Sequence, residues 1–537
     1  MVAVAGARGR VRREAHAPAA AASAMLRRTA GVLIPLFSLR TRDDLGRGEI
    51  RALVPMADFT LAMGHRVIQL LPVDETAPGE TSPYSAMSVM AIDPLYVSAR
   101  GLAGVGPAAI ERARAQAGPG DPPDPIRLHA AMRELLHTSY RYFRTRGPAA
   151  ERDALAAFVR DNHEWLPDYA LFRALKDRFQ WAPWGSWPDG LSSREPAAIA
   201  AAARELADEV ATWSYVQFIA HRQWREVRAR LADRGVLLGG DLAFSPGCES
   251  AEVWSHQAMF DLGRSVGAPP DAFSATGQRW GLPMPNWERM RASGFALIRM
   301  RIRHARALYD LLRIDHLVGL FRTYGFGADL EAPGAFDPAA ESDQLAQGEE
   351  ILRIAQGEAA AMELIAEDLG VIPPFVRRSL KTLGLPGYKV MRWEREWNEP
   401  GQPFIDPVHY AELSVATTGT HDTETLCEWW REAHAGERLE FVRSLRLEGK
   451  IDPLAAVLDA GALDAALDAL YGAGSRLTIV PVQDIFGWDA RINTPGTVND
   501  ANWKWRLPFS LESPADDPGR ASRIAATRDL AIRHRRF

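Results

Sequence analysis

Leu311-Leu-Arg-Ile-Asp-His316 decides the fold: a short apolar run that ends in a charged cluster. A near-continuous apolar run of this length reads as a strand covered on both faces. Seven further runs share its character: Gly31–Leu36, Val67–Val73, Val236–Phe244, Met362–Asp368, Tyr388–Trp393, Ser414–Asp422 and Leu477–Asp484. Parallel strands need long crossovers, usually helical. Helical patterns lie between several runs, Ser293–Leu312 and Phe375–Leu383 among them. Eight strands alternating with helices predict an α/β chain folded as a (β/α)8 TIM barrel, although periodicity alone also fits an open α/β sheet.

The spacing is uneven. The long segment between the second and third runs carries the helical patterns Leu128–Thr145 and Ala197–Asp233, broken by the Pro/Gly-rich stretch Gly118–Pro125. It is expected to be a helical subdomain, about 100–233, inserted into a barrel that spans 29–537. A smaller insertion, about 394–476, flanks the seventh strand. Residues 1–28, rich in Ala and Arg, lack the strongly apolar core of an export signal. They are expected to be a disordered tail, or a stretch ahead of a true start at Met25. With 537 residues, 47% hydrophobic and 24% charged, the chain has ordinary globular chemistry and material for a large core. A net charge of −5 gives no positive field, which argues against nucleic acid as a partner. Two cysteines, Cys248 and Cys427, allow at most one disulfide and no Cys-based zinc site, which favours the cytoplasm. No stretch reaches the roughly 18–20 apolar residues of a membrane helix.

In a TIM barrel the active site lies at the C-terminal ends of the strands. Polar residues fall there in run after run: Asp74 and then Ser82-Pro-Tyr-Ser85, Gly239-Gly-Asp241, Arg313-Ile-Asp-His316, Ala366-Glu-Asp-Leu-Gly370, Gly419-Thr-His-Asp422 and Gln483-Asp484. One such acid is easily a helix cap; acids after so many runs, aimed at one face, point to chemistry. Converging carboxylates without metal-ligand spacing suit glycosyl chemistry, which needs a nucleophile and a protonated acid about 5 Å apart when configuration is retained. Arg313 stands two residues before Asp315, so alternation puts both on one face and gives the carboxylate a fixed cation.

These motifs, in order, carry a resemblance: QLLPVDET–SPYS, GDLAFSP–ESAEVW, PPDAFSATGQRWG, RIDH, AEDLG, GTHD and RINTPGTVNDANWKWR. From about Gly31 to Arg506 the chain resembles the amylomaltases, or 4-α-glucanotransferases, relatives of the α-amylases. The resemblance implies a retaining enzyme that needs no cofactor and no metal, acting on maltooligosaccharides, maltodextrin or glycogen-derived glucan. It implies Asp315 as nucleophile, Glu367 as acid/base and Asp422 as transition-state stabiliser. Arg313 would support Asp315, and His421, Tyr84 and Asp241 would form the donor subsite. Residues 269–278 resemble a loop over the acceptor side, with Gln278 near the sugar and Trp280 beside it. The chain departs from the family at Ala272, Leu282, Glu249 and Leu317-Val318, which bears on acceptor preference rather than on the carboxylates.

Other residues have blander readings. His316 is expected to be structural, because strand alternation turns it away from Asp315. Asp368 is expected to cap the next helix. Trp280 and Trp287 are expected to face solvent or glucan, and Trp503 and Trp505 to pack the segment that closes the barrel. Two competing functions share these residues: a hydrolase of the α-amylase type, which differs in whether the acceptor site favours water over sugar, and a non-catalytic glucan-binding barrel.

Overall fold

The computed structural model describes residues 28–270, 276–329, 332–497 and 499–537. All eight apolar runs form strands: β1 Thr29–Leu33, β2 Val67–Gln69, β3 Leu237–Leu242, β4 Leu311–Ile314, β5 Glu363–Ala366, β6 Gly387–Val390, β7 Ser414–Thr417 and β8 Leu477–Pro481. They close into a barrel in the order β1-β8-β7-β6-β5-β4-β3-β2, with every neighbouring pair parallel. Consecutive residues are buried along a strand: Val67 and Ile68, Leu311 and Leu312, Val415 and Ala416 are each fully covered. One side chain of each pair fills the barrel and the other meets the helices, each large one stabilising the fold by about 1.5–3 kcal/mol. Gly239 on β3 is held to glycine by its neighbour, since a Cβ there would stand 2.5 Å from Gln69 Oε1. That close approach lets Gln69 Nε2 donate to Gly240 O at 2.8 Å inside the barrel.

Helix Ala296–Leu308 leads into β4 and is shorter than its sequence pattern, because Tyr309 turns extended and Leu311 and Leu312 join the sheet. Helix Pro374–Leu383 ends at Gly384 with φ +70°, a left-handed cap that glycine adopts without strain. Between β2 and β3 lie helices Pro107–Ala117, Pro125–Arg146, Ala149–Asp161 and Leu166–Arg178, followed by Pro196–Glu205 and Ala207–Asp233. The single helix expected over 197–233 is thus two, separated at Leu206, a buried residue with non-helical ψ. These helices are fixed to the barrel mouth by Arg173. Wholly buried, it donates to Glu75 Oε1 at 2.9 Å and Asp177 Oδ1 at 2.6 Å. Its guanidinium lies between the rings of Trp181 and Trp213, 4.4 and 3.9 Å from their centroids. Around β7 lie helices Leu426–Glu432, Ala435–Ser444 and Ala460–Tyr471.

One sheet was not read from the sequence. Strands Phe260–Ala268, Gln278–Pro285, Thr323–Phe326 and Ala335–Asp337 form an antiparallel sheet beside the barrel mouth, and the expected acceptor loop falls in sequence between the first two, which pair with each other. Its residues 271–275, and residues 1–27 of the expected tail, lie outside the described residues. Cys248 and Cys427 are both free thiols, so the one disulfide the composition allowed is not formed. Among the described residues no helix is long and apolar enough to cross a membrane.

Candidate active site

Register brings the acids together. β3 and β4 pair Asp241 with Arg313; β4 and β5 pair Ile314 with Ala366, and Glu367 N donates to Ile314 O at 3.0 Å. Asp315 and Glu367 therefore leave the barrel side by side on neighbouring strands. The strand spacing of about 4.8 Å is on the scale that retaining chemistry needs between two carboxyl groups.

Arg313 is the hub. Its Nη1 alone donates to Asp241 Oδ1 at 2.8 Å, Asp241 Oδ2 at 2.9 Å and Asp315 Oδ1 at 2.7 Å. Burial pushes the Asp241 carboxyl up against the pull of Arg313. Tyr84 Oη donates to Asp241 Oδ2 at 2.7 Å, and burial lifts its own titration well above the ordinary phenol value, so it stays a donor. The Tyr84 ring stacks on His421, centroids 5.2 Å apart and planes at 17°.

Glu367 is held by two backbone amides: His316 N donates to Oε2 and Leu369 N to Oε1, both at 2.8 Å. Desolvation in the site, opposed by Arg313 and assisted by the Asp315 charge, raises its carboxyl to about 7. A carboxyl raised this far holds a proton more readily than an ordinary one, the poise of a group that gives and retakes one.

Asp422 sits in the turn before helix Leu426–Glu432, whose start is fixed by a capping box between Thr425 and Glu428 and by Leu426 N donating to Asp484 Oδ1 at 2.7 Å. His421 Nε2 lies 3.1 Å from Asp422 Oδ2, and Asn493 Nδ2 donates to Oδ1 at 2.6 Å. Burial opposes the Asp422 charge, but His421 and Asn493 outweigh it and hold the carboxyl well below its ordinary range. Burial likewise works against the His421 cation, and Asp422 reverses it, raising the imidazole. Asp422 is thus a fixed anion and Glu367 a titrating acid, two carboxyls separated by their surroundings.

Asp315, Glu367, Asp422, Asp241, Arg313, Tyr84 and His421 therefore meet at one mouth. Gln278 does not join them by contact: it is exposed at the start of its strand and bonds to none of the acids among the described residues. Trp280, 36% exposed, lines a groove of about 440 Å³ together with Trp181, Lys176, Cys248 and Glu249. Three readings change. Trp287 is buried, with Nε1 donating to Thr323 Oγ1 at 3.1 Å, because it begins a helix under the small sheet. Asp368 caps no helix; its Oδ1 accepts from Tyr388 N at 2.8 Å and ties β5 to β6. Trp503 packs on the site itself, 5.9 Å from the Tyr84 ring and 5.8 Å from His421. Sequence reasoning missed Asn493, whose signal was its place in the RINTPG motif. Among the described residues no group of three His, Cys, Asp or Glu could hold a metal ion.

Comparison with known proteins gives the family and the fold. Residues 34–512 match the family model described as 4-alpha-glucanotransferase, glycoside hydrolase family 77. The chain is 33% identical over 512 residues to the 4-alpha-glucanotransferase of Chlamydia pneumoniae, covering 90% of this chain and 92% of that protein. It is 35% identical to the Thermus thermophilus 4-alpha-glucanotransferase over 463 residues, 84% of this chain and 89% of the other. Its fold superimposes on the amylomaltase of Streptococcus agalactiae, solved in complex with acarbose, with a TM-score of 0.82 at 26% identity, over 95% of this chain and all of that one.

Proposed function

Because the chain belongs to the 4-alpha-glucanotransferase family, glycoside hydrolase family 77, we propose that its activity, transfer of α-1,4-glucan segments, runs through Asp315, Glu367 and Asp422. An Asp315 oxygen attacks the anomeric carbon of the donor. The bond from that carbon to the bridging oxygen breaks, the Glu367 proton goes to that oxygen, and a β-linked glucosyl ester remains. The 4-hydroxyl of an acceptor glucan then attacks the same carbon, its proton returns to Glu367, and the ester bond breaks with the α-configuration restored. Asp422, kept ionised, accepts from sugar hydroxyls and stabilises positive charge on the ring as the bond breaks.

The observation that carries this reading is that Asp315 and Glu367 each directly follow the paired ends of adjacent strands, Ile314 and Ala366, with Glu367 raised to about 7. The Asp315 charge is one cause of that rise. Once esterified, Asp315 is neutral, so Glu367 becomes the stronger acid and gives up its proton more readily. The second step needs it in that form, as a base. Tyr84, His421 and Asp241 wall the donor subsite, while Trp280 and the groove running to Trp181 of the helical insertion receive the acceptor. The substrates in this reading are maltooligosaccharides, maltodextrin or glycogen-derived glucan; the streptococcal amylomaltase was solved with acarbose bound. Two free thiols support a cytoplasmic setting.

Maltotriose tests the function directly. Transfer gives glucose and a ladder of shorter and longer oligomers while total reducing ends stay constant. Rising reducing ends with only shorter products would mean hydrolysis and refute transfer.

A further inference from the structure

Beyond the three acids, one residue joins the two halves of the site. The sheet ends at Ile314, and His316 takes a left-handed backbone conformation with φ +45°. Strand alternation therefore stops applying at His316. The turn aims its amide at the acid/base, with N to Glu367 Oε2 at 2.8 Å. The same turn wedges the imidazole edge-to-face between two aromatic rings, 4.8 Å and 81° from Trp280 and 5.4 Å and 85° from Phe244. Gly319 leaves room for this wedge: a Cβ there would stand 2.5 Å from Phe244 Cε2 and 2.8 Å from His316 Cδ2. Trp280 is exposed on its free side and lines the groove beside the site.

We propose that His316 is a positioning residue that couples the acceptor platform to the acid/base: its ring pins Trp280 while its amide fixes one oxygen of Glu367. This rests on the reading of Glu367 as acid/base. The two duties separate by substitution. His316→Asn tolerates the left-handed conformation and keeps the amide in place, but removes the ring edge that braces Trp280. His316→Val disfavours that conformation, because a β-branched residue at positive φ is strained, and so displaces the amide as well. His316→Phe restores a ring.

Rates are measured for the full chain with maltotriose as donor and glucose as varied acceptor, across pH. His316→Asn is expected to raise the acceptor KM about five- to tenfold with kcat changed less than about threefold and the alkaline limb unmoved. In His316→Val a carboxylate loses an N–H donor. That raises Glu367, so the alkaline limb moves up by about half a pH unit or more and kcat falls about tenfold. His316→Phe is expected to recover most of the acceptor KM. A purely structural role predicts lower stability with KM and limb unchanged in all three, which overturns the proposal. So does an Asn variant with wild-type acceptor KM. If the Val variant does not fold, a double-mutant cycle of His316→Asn with Trp280→Ala decides: additive effects on acceptor KM overturn the coupling. The underlying reading has its own control. Glu367→Gln should be inert on maltotriose yet release a burst of fluoride from α-maltosyl fluoride, whose leaving group needs no proton. Absence of that burst would discard the acid/base reading, whatever His316 does.

Discussion

Replacing Arg313 by methionine tests the electrostatic account most severely, because one nitrogen serves three carboxylate oxygens. Asp241, 4% exposed, would lose its cation. Breaking a buried pair from one side costs about 3–5 kcal/mol. Asp241 can escape part of that by taking up a proton, since burial already pushes its carboxyl up. The lower end, about 3 kcal/mol of stability, is therefore expected. On the reaction side, Asp315 loses a charge-assisted hydrogen bond worth about 1.5–3 kcal/mol. If that is expressed in the transition state, the rate falls roughly 10- to 150-fold at about 1.36 kcal/mol per decade. Arg313 also opposes the rise of Glu367. Without it Glu367 titrates above about 7 and keeps its proton to higher pH, so the alkaline limb of activity moves upward. Arg313→Lys keeps a cation on a shorter stem; it should slow the enzyme about tenfold and leave the limb in place. The assay is the initial rate of glucose release from maltotriose over about pH 5 to pH 9, with thermal unfolding alongside. A folded Met variant with an unmoved limb and a rate within about threefold of the parent would refute the reasoning.

Three further outcomes follow from the same contacts. Tyr84→Phe keeps the stack on His421 and deletes one bond to Asp241, so kcat/KM should fall about tenfold with stability changed by about 1 kcal/mol; equal loss on Tyr84→Ala would deny the ring a role. Asn493→Ala removes a donor from Asp422 and lets its depressed carboxyl rise. The stability this acid contributes is present above its unfolded value near 3.9 and lost as pH falls through the folded one. The variant should therefore lose stability at neutral pH, approaching the parent in acid, as paired denaturant titrations would reveal. Arg173→Met strands Glu75 and Asp177 and should cost about 3–5 kcal/mol, seen as a lower unfolding midpoint; an unchanged midpoint would show the pair to be dispensable.

The barrel was legible because its strands are covered on both faces, which leaves near-continuous apolar runs such as Leu477–Pro481. The acids were legible because each follows such a run. What the sequence hid depends on where strands stop and what lies across the mouth. His316 was read by alternation, yet β4 ends two residues earlier and the rule no longer applies. Trp287 and Trp503 are both tryptophans near sugar-type motifs, and only the packing of other segments makes the first a core residue and the second a neighbour of His421. Asp368 carries a cap-like position but pairs across to Tyr388, a contact between strands that no local pattern encodes.

The seam of the barrel has a consequence in time. β1 pairs with β8 from Thr29 opposite Leu477 to Leu33 opposite Pro481, so the first strand made waits for the last. At about 5–20 residues per second, a ribosome needs roughly 20 to 90 s to deliver that partner. Throughout, one side of β1 offers unpaired N–H and C=O groups to any passing strand, including those of neighbouring nascent chains. Yield in a cell should thus depend on how crowded the polysome is and how fast it runs, even for a protein whose finished barrel has no open edge.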